Sequence, residues 1–145
     1  MKEELKNLLI ADLCGRIPYG CLVSVVHNSP RLGIVRKYER LTFFLLHRME
    51  EEDSWEFIKP YLRPLTSMTD DERAEYEKFS YYGAVAYRNN GTRGTVAVPS
   101  FEKIDWLLRN HFDFRGLIEK KLAIAVDRNI DSYLLSYQPV KYEPL

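Results

Sequence analysis

The chain is short of nearly everything that signals chemistry. Its 145 residues hold only two cysteines and three histidines. Cys14, Cys21, His27, His47 and His111 include no C-x-x-C or H-x-x-x-H pair that would set two ligands on one element, so no metal and no cofactor is expected. There is no Walker A or G-x-G-x-x-G segment to cradle a phosphate, and Ser24, Ser29, Ser67 and Ser80 stand in no G-x-S-x-G elbow. No window of 18 apolar residues exists, so no membrane span is expected. Net charge is absent as well: 21 basic side chains balance 21 acidic ones, which excludes the strong basic stripe of a phosphate-backbone binder. Met1 to Leu13 carries short apolar clusters among its charges instead of a basic region followed by a continuous apolar one. With so little cysteine, the chain reads as reduced and cytoplasmic.

What is present describes a folded domain. An apolar fraction of 46% and a charged fraction of 29% are ordinary globular values. Residues 1–145 are one domain's worth of chain, able to bury roughly two thirds of the unfolded surface without staples. The first 48 residues are mildly basic, Met49 to Tyr82 carry ten acids against four bases, and the remainder is slightly basic.

Periodicity sets out the elements. Leu5, Leu8, Leu9 and Leu13 form one stripe of an N-terminal helix whose other face holds Lys2, Glu3, Lys6 and Asp12, with Gly15, Pro18 and Gly20 ending it. Cys21 to His27, Arg31 to Tyr38 and Leu41 to Arg48 are rich in β-branched and aromatic residues and predict a three-stranded antiparallel meander, with Cys21 on a buried face. Trp55 to Ile58 predicts a fourth strand before Pro60 and Pro64 break the chain. Thr69, Asp70, Asp71 and Glu72 make a capping box for a helix to about Phe79. Tyr81 to Arg88 and Gly94 to Val98 flank Asn89, Asn90 and Gly91 as a hairpin. Ser100 caps a helix to about Asn110, with Phe101, Ile104 and Leu108 inward and Trp106 on the flank, partly exposed. Asp113 caps a turn over Arg115 to Lys121, Leu122 to Val126 is a buried strand, Tyr133 to Tyr137 an edge strand, and 139–145 a frayed tail. The sum is a single α+β domain: a bent antiparallel sheet or small partly open barrel, with an N-terminal helix and two or three further helices packed on it.

Three blocks, LLIADLCGRIPYG at Leu8 to Gly20, IKPYLRPLTSMTDDE at Ile58 to Glu72 and IDWLLRNHFDFRGLIEKKLAI at Ile104 to Ile124, cover about a third of the chain. In them the chain resembles small uncharacterised proteins encoded by phages, prophages and other mobile elements of Bacteroidetes gut bacteria. The resemblance implies a mobile-element setting and brings no activity or site residue with it. The residues from Asp131 to Leu145 are the part it covers least.

Two surfaces offer themselves. Trp106, Arg109, His111, Asp113 and Arg115 gather aromatic and charged groups at one helix end, where an unknown protein partner would find the residue types that dominate interfaces. The bland reading is that Asp113 caps the next turn, an arginine pairs nearby and His111 closes the helix. Arg31, Arg36, Lys37 and Arg40 line the basic meander and suggest nucleic acid, with some of the ten tyrosines, seven phenylalanines and two tryptophans as stacking groups. Without net positive charge, protein interaction takes precedence over nucleic acid. The expectation is a non-catalytic accessory protein acting through protein contacts, with a nucleic-acid module second. A small hydrolase or nuclease centred on His111 and Asp113 comes third.

Overall fold

A computed structural model describes residues 1–31, 33–87, 89–126 and 142–144. Helix α1 spans Glu3–Arg16, with Leu9 and Leu13 fully buried as the stripe requires. Gly15 continues the helix instead of ending it, facing Leu108 at ordinary packing distance. A 3-10 turn over Ile17–Tyr19 and a left-handed Gly20 (φ 66°) then turn the chain.

Strands β1 (Leu22–Ser29) and β2 (Gly33–Arg40) form an antiparallel hairpin, in register from Leu22 opposite Arg40 to Ser29 opposite Gly33. The third run is a correction: Leu41 to Arg48 is not a strand. It supplies the start of helix α2, Phe43–Glu52. The Thr42 hydroxyl accepts from the Leu45 amide at 3.1 Å, and Leu45, Leu46 and Met49 make a buried stripe that continues into the acidic segment. Trp55–Phe57 likewise forms a 3-10 turn, and the strand β3 follows it at Ile58–Pro64. Pro60 and Pro64 fall inside it because its partners change along its length. β1 pairs with Ile58 to Pro60, strand β7 (Ile124–Ala125) with Tyr61 and Leu62, and strand β6 (Phe112–Asp113) with Arg63 and Pro64. Each proline ends a pairing run, where a missing amide donor costs least.

Helix α3 (Asp70–Glu77) opens on the expected capping box and stops two residues sooner than Phe79. Strands β4 (Tyr81–Tyr87) and β5 (Arg93–Pro99) pair as the expected hairpin, a two-stranded sheet of its own. Helix α4 (Phe101–Arg109) follows, capped by Ser100. Leu108 is buried and Ile104 packs against the core as expected, but Phe101 and Trp106 are a second correction. Phe101 is 84% exposed, while Lys103, Trp106, Leu107 and Leu108 are buried. Lys103 is drawn in because its ammonium donates to the Phe79 carbonyl at 3.2 Å and stands over the rings of Tyr76 and Tyr81.

The short strands β6 (Phe112–Asp113) and β7 (Ile124–Ala125) both lie parallel to β3, and β8 (Tyr142–Pro144) adds antiparallel to β2. The sheet is therefore mixed and open, in the order β6-β3-β1-β2-β8 with β7 beside β3, and the chain is a single α+β domain with four α-helices among the described residues. Where a frayed end was expected over 139–145, Tyr142–Pro144 is held by the free side of β2, opposite Val35 to Lys37; the other residues of that span lie outside the described ones. The expected strand from 133 to 137 also lies outside them.

One face of the sheet carries the main core. Leu9, Leu13, Leu45 and Met49 from α1 and α2 pack on Val23, Val25, Ile58 and Leu62, and Cys21 joins them as a buried small hydrophobe. Full burial of such side chains is worth about 1.5–3 kcal/mol each. Leu22, Tyr61 and Val126 cover the other face, and Met68, Trp106, Leu107 and Phe112 form a third cluster beside β6.

Candidate functional site

The helix-end residues meet a group of guanidiniums that sequence spacing did not suggest. The last turn of α1 brings Asp12 and Arg16, both fully buried, against β6 and the segment that follows it. Arg16 donates through Nε and Nη2 to the two Asp12 oxygens at 2.7 and 3.0 Å, and through Nη2 to the Phe112 carbonyl at 2.7 Å. Arg115 donates to the same carboxylate at 2.8 Å. The helical period puts Asp12 on the outer face of α1, yet it is wholly buried. Two guanidiniums make its burial tolerable, since a buried carboxylate needs pairing to stay charged.

On the far side of Phe112, Arg63 lies buried over the ring at 4.2 Å and forks onto the Glu72 carboxylate at 2.7 and 2.8 Å. That fork, with smaller help from the Thr69 hydrogen bonds, holds Glu72 at about 2 against an ordinary 4.5. His111 is pushed down from 6.5 to about 4, chiefly by burial and then by the charges of Arg16 and Arg63. Its backbone is left-handed, φ 64°, and its carbonyl accepts from the Arg63 amide at 2.8 Å.

The five expected contact residues therefore part company. Trp106 is 3% exposed, not partly exposed as expected: its indole N–H donates to Glu75 at 3.1 Å and its ring stacks on Phe112 with centroids 5.6 Å apart. Asp113 is buried, its two oxygens accepting from the Leu117 and Ile118 amides at 2.9 Å. That is the capping role, and it leaves little of the carboxylate for acid–base work. Arg115 turns inward to Asp12. Arg109 alone stays outside, paired at 2.7 Å with Asp105, which also accepts from the Tyr19 hydroxyl.

The basic meander divides too. Alternation along β2 puts Arg36 and Arg40 on one face with Tyr38, and Lys37 on the other, where its ammonium sits 2.7 Å from Glu39. Arg31 and Arg40 are exposed, whereas Arg36 and Lys37 are partly covered. A groove of about 520 Å³ runs between this hairpin and α2, lined by Val25, Ile34, Lys37, Arg48, Met49 and Phe57 among others, and it contains neither His111 nor Asp113. Among the described residues no three His, Cys, Asp or Glu side chains gather as metal ligands, and no helix is long and apolar enough to cross a membrane.

The surface that sequence reasoning missed is aromatic. Phe43 and Phe44 open α2 at 67% and 82% exposure, edge to face with centroids 6.4 Å apart. Recognising Thr42 as a cap would have found them, since the apolar stripe of the ensuing helix begins at Leu45 and leaves both rings outside.

These features define an α+β domain with an internally paired charge cluster and an exposed aromatic pair. No family model, no curated protein and no solved structure matches the chain.

Proposed function

We propose that the protein is a non-catalytic accessory factor of a phage or other mobile element that acts by binding another protein. The mobile-element setting rests on the resemblance of the three sequence blocks. The binding mode rests on one observation, the Phe43–Phe44 pair standing in solvent at the start of α2. Adjacent exposed aromatic rings are the side chains that interface cores favour, and keeping two in water has no folding benefit. The distribution of charge supports the same reading. The carboxylates nearest the helix end are occupied by the chain itself: Asp12 by Arg16 and Arg115, Glu72 by Arg63, Asp113 by two amides.

The test is site-specific photo-crosslinking in cells that naturally carry the protein. A photoreactive phenylalanine analogue at position 44 is expected to give one discrete adduct with a second protein, and the same analogue at exposed Glu119 none. In parallel, the purified protein is titrated with single-stranded and duplex oligonucleotides at about 150 mM salt. Submicromolar binding abolished by charge reversal at Arg36 and Arg40, with no adduct at position 44, would replace the proposal by a nucleic-acid module.

A further inference from the structure

We propose that β5 is the pairing edge of a homodimer, in which the hairpins of two copies join into one four-stranded antiparallel sheet. The inference uses a surface separate from the Phe43–Phe44 pair and stands independently of it.

The hairpin is a two-stranded sheet apart from the main one, and among the described residues no third strand pairs with either of its edges. A two-stranded ribbon is marginal in water by itself, and exposed edges are normally blunted by lysines, bulges, prolines or a covering element. Among the described residues this one has none of those along its middle. Gly94 to Val98 and Tyr81 to Tyr87 carry no charged residue, and the one proline, Pro99, sits at the end of its strand. β5 is open on both faces: Thr95 and Ala97 are exposed on one, and Val98, at 40%, on the other. The root of the hairpin is fixed. The Ser100 amide donates to the Ser80 carbonyl at 3.0 Å, and the Tyr81 ring lies 3.9 Å from the Lys103 ammonium. An edge so anchored loses little further freedom on pairing.

Charge complementarity selects a second copy as the occupant. A two-fold axis at Val96 sets Thr95 opposite Ala97, Gly94 opposite Val98 and Arg93 opposite Pro99 of the other copy. Exposed Arg93 then meets the start of the other copy's α4, where exposed Glu102 and the 84% exposed ring of Phe101 stand. The arrangement repeats at the other end, so the register closes with two Arg93–Glu102 pairs and no like charges facing. A foreign strand would gain the ladder without these pairs. Seven residues span about 23 Å, so such an edge contact falls short of the roughly 800 Å² per partner of a standard interface, and the dimer is expected to be micromolar.

Sedimentation equilibrium from about 1 to about 300 µM protein tests this across that affinity range. The full chain is expected to pass from monomer to dimer. Ala97→Lys should abolish the dimer with an unchanged circular dichroism spectrum. Arg93→Glu and Glu102→Arg should each weaken it by about tenfold, and the double swap should restore it to within about threefold, the size expected of a charge pair. A monomer at every concentration overturns the proposal. A dimer indifferent to Ala97→Lys, or single swaps that the double does not rescue, overturns it equally.

Discussion

The Arg63 guanidinium serves two partners at once: it forks onto Glu72 at 2.7 and 2.8 Å and lies over the face of Phe112 at 4.2 Å. It thereby ties the start of α3 to β3 and to the loop after α4, and makes the charge of Glu72 a measurable part of the fold.

Glu72→Gln should remove that charge while leaving the capping box chemically possible, since glutamine can also reach back to the Thr69 amide. The folded state holds Glu72 at about 2 instead of 4.5, so its stabilisation is fully present above pH 4.5 and is lost as pH falls toward 2. The variant should be about 2 kcal/mol less stable at pH 7. The gap should narrow to less than half by pH 3 and close only below pH 2. Urea midpoints at pH 7, 4 and 3 check this; a gap that stays constant with pH would assign the loss to packing.

His111 acts in the same direction on the acid side, in a higher pH window. Its folded value of about 4 lies below the ordinary 6.5, so the unfolded chain takes up the proton first, and stability falls as pH drops from 6.5 to 4. His111→Asn keeps a residue that tolerates the left-handed φ of 64° and should flatten that part of the profile by on the order of 2 kcal/mol. An unchanged slope between pH 6.5 and 4 would show that the imidazole is not its source.

Asp12→Asn strands Arg16, whose side chain is wholly buried, and should cost about 3–5 kcal/mol. The double variant Asp12→Leu with Arg16→Met should be more stable than Asp12→Asn, because it removes both charges from the interior. A double-mutant cycle in urea measures it, and purely additive losses would deny the coupling.

Thr69→Ala should cost about 1 kcal/mol by freeing the Glu72 amide, which now donates to the hydroxyl at 3.1 Å. Asp71→Ala, at an exposed position beside it, should move stability by less than half as much.

Phe43→Ser with Phe44→Ser should leave the melting temperature within a few degrees of the original, whereas Leu45→Ala should cost about 2–5 kcal/mol. The contrast follows from exposures of 67% and 82% against 5% on adjacent residues. Equal losses would place the two rings in the core.

Features decided within a few residues were legible. The capping box at Thr69, the hairpin around Gly91 and the Asp113 cap each depend on neighbours no more than five positions away or on a turn with strong glycine and asparagine preferences. α2 was not, because LTFFLL is rich enough in aromatics to look like a strand, and its helical period shows only when Met49 and the following acids are read with it. Phe101 and Trp106 of α4 depart from the expected arrangement for another reason. Phe101 belongs inside by type, but the helix is rolled so that Lys103 meets the Phe79 carbonyl and two tyrosine rings. Among the site residues, Asp12 looked like outer-face charge because its second cation, Arg115, stands 103 positions away. The parallel pairing of β6 and β7 with β3 left no local trace either.

Those distant pairings also set an order of events during synthesis. Arg16 finishes its hydrogen bonding on Phe112, 96 positions later, and Asp12 on Arg115 later still. At about 5–20 residues per second, the end of α1 spends several seconds outside the ribosome with a guanidinium and a carboxylate that only each other can answer. The apolar face of the helix can dock in that interval on strands already made, but its last turn stays incomplete. A ribosome that stalls before Phe112 would therefore hold Asp12 and Arg16 at a seam still missing its later partners.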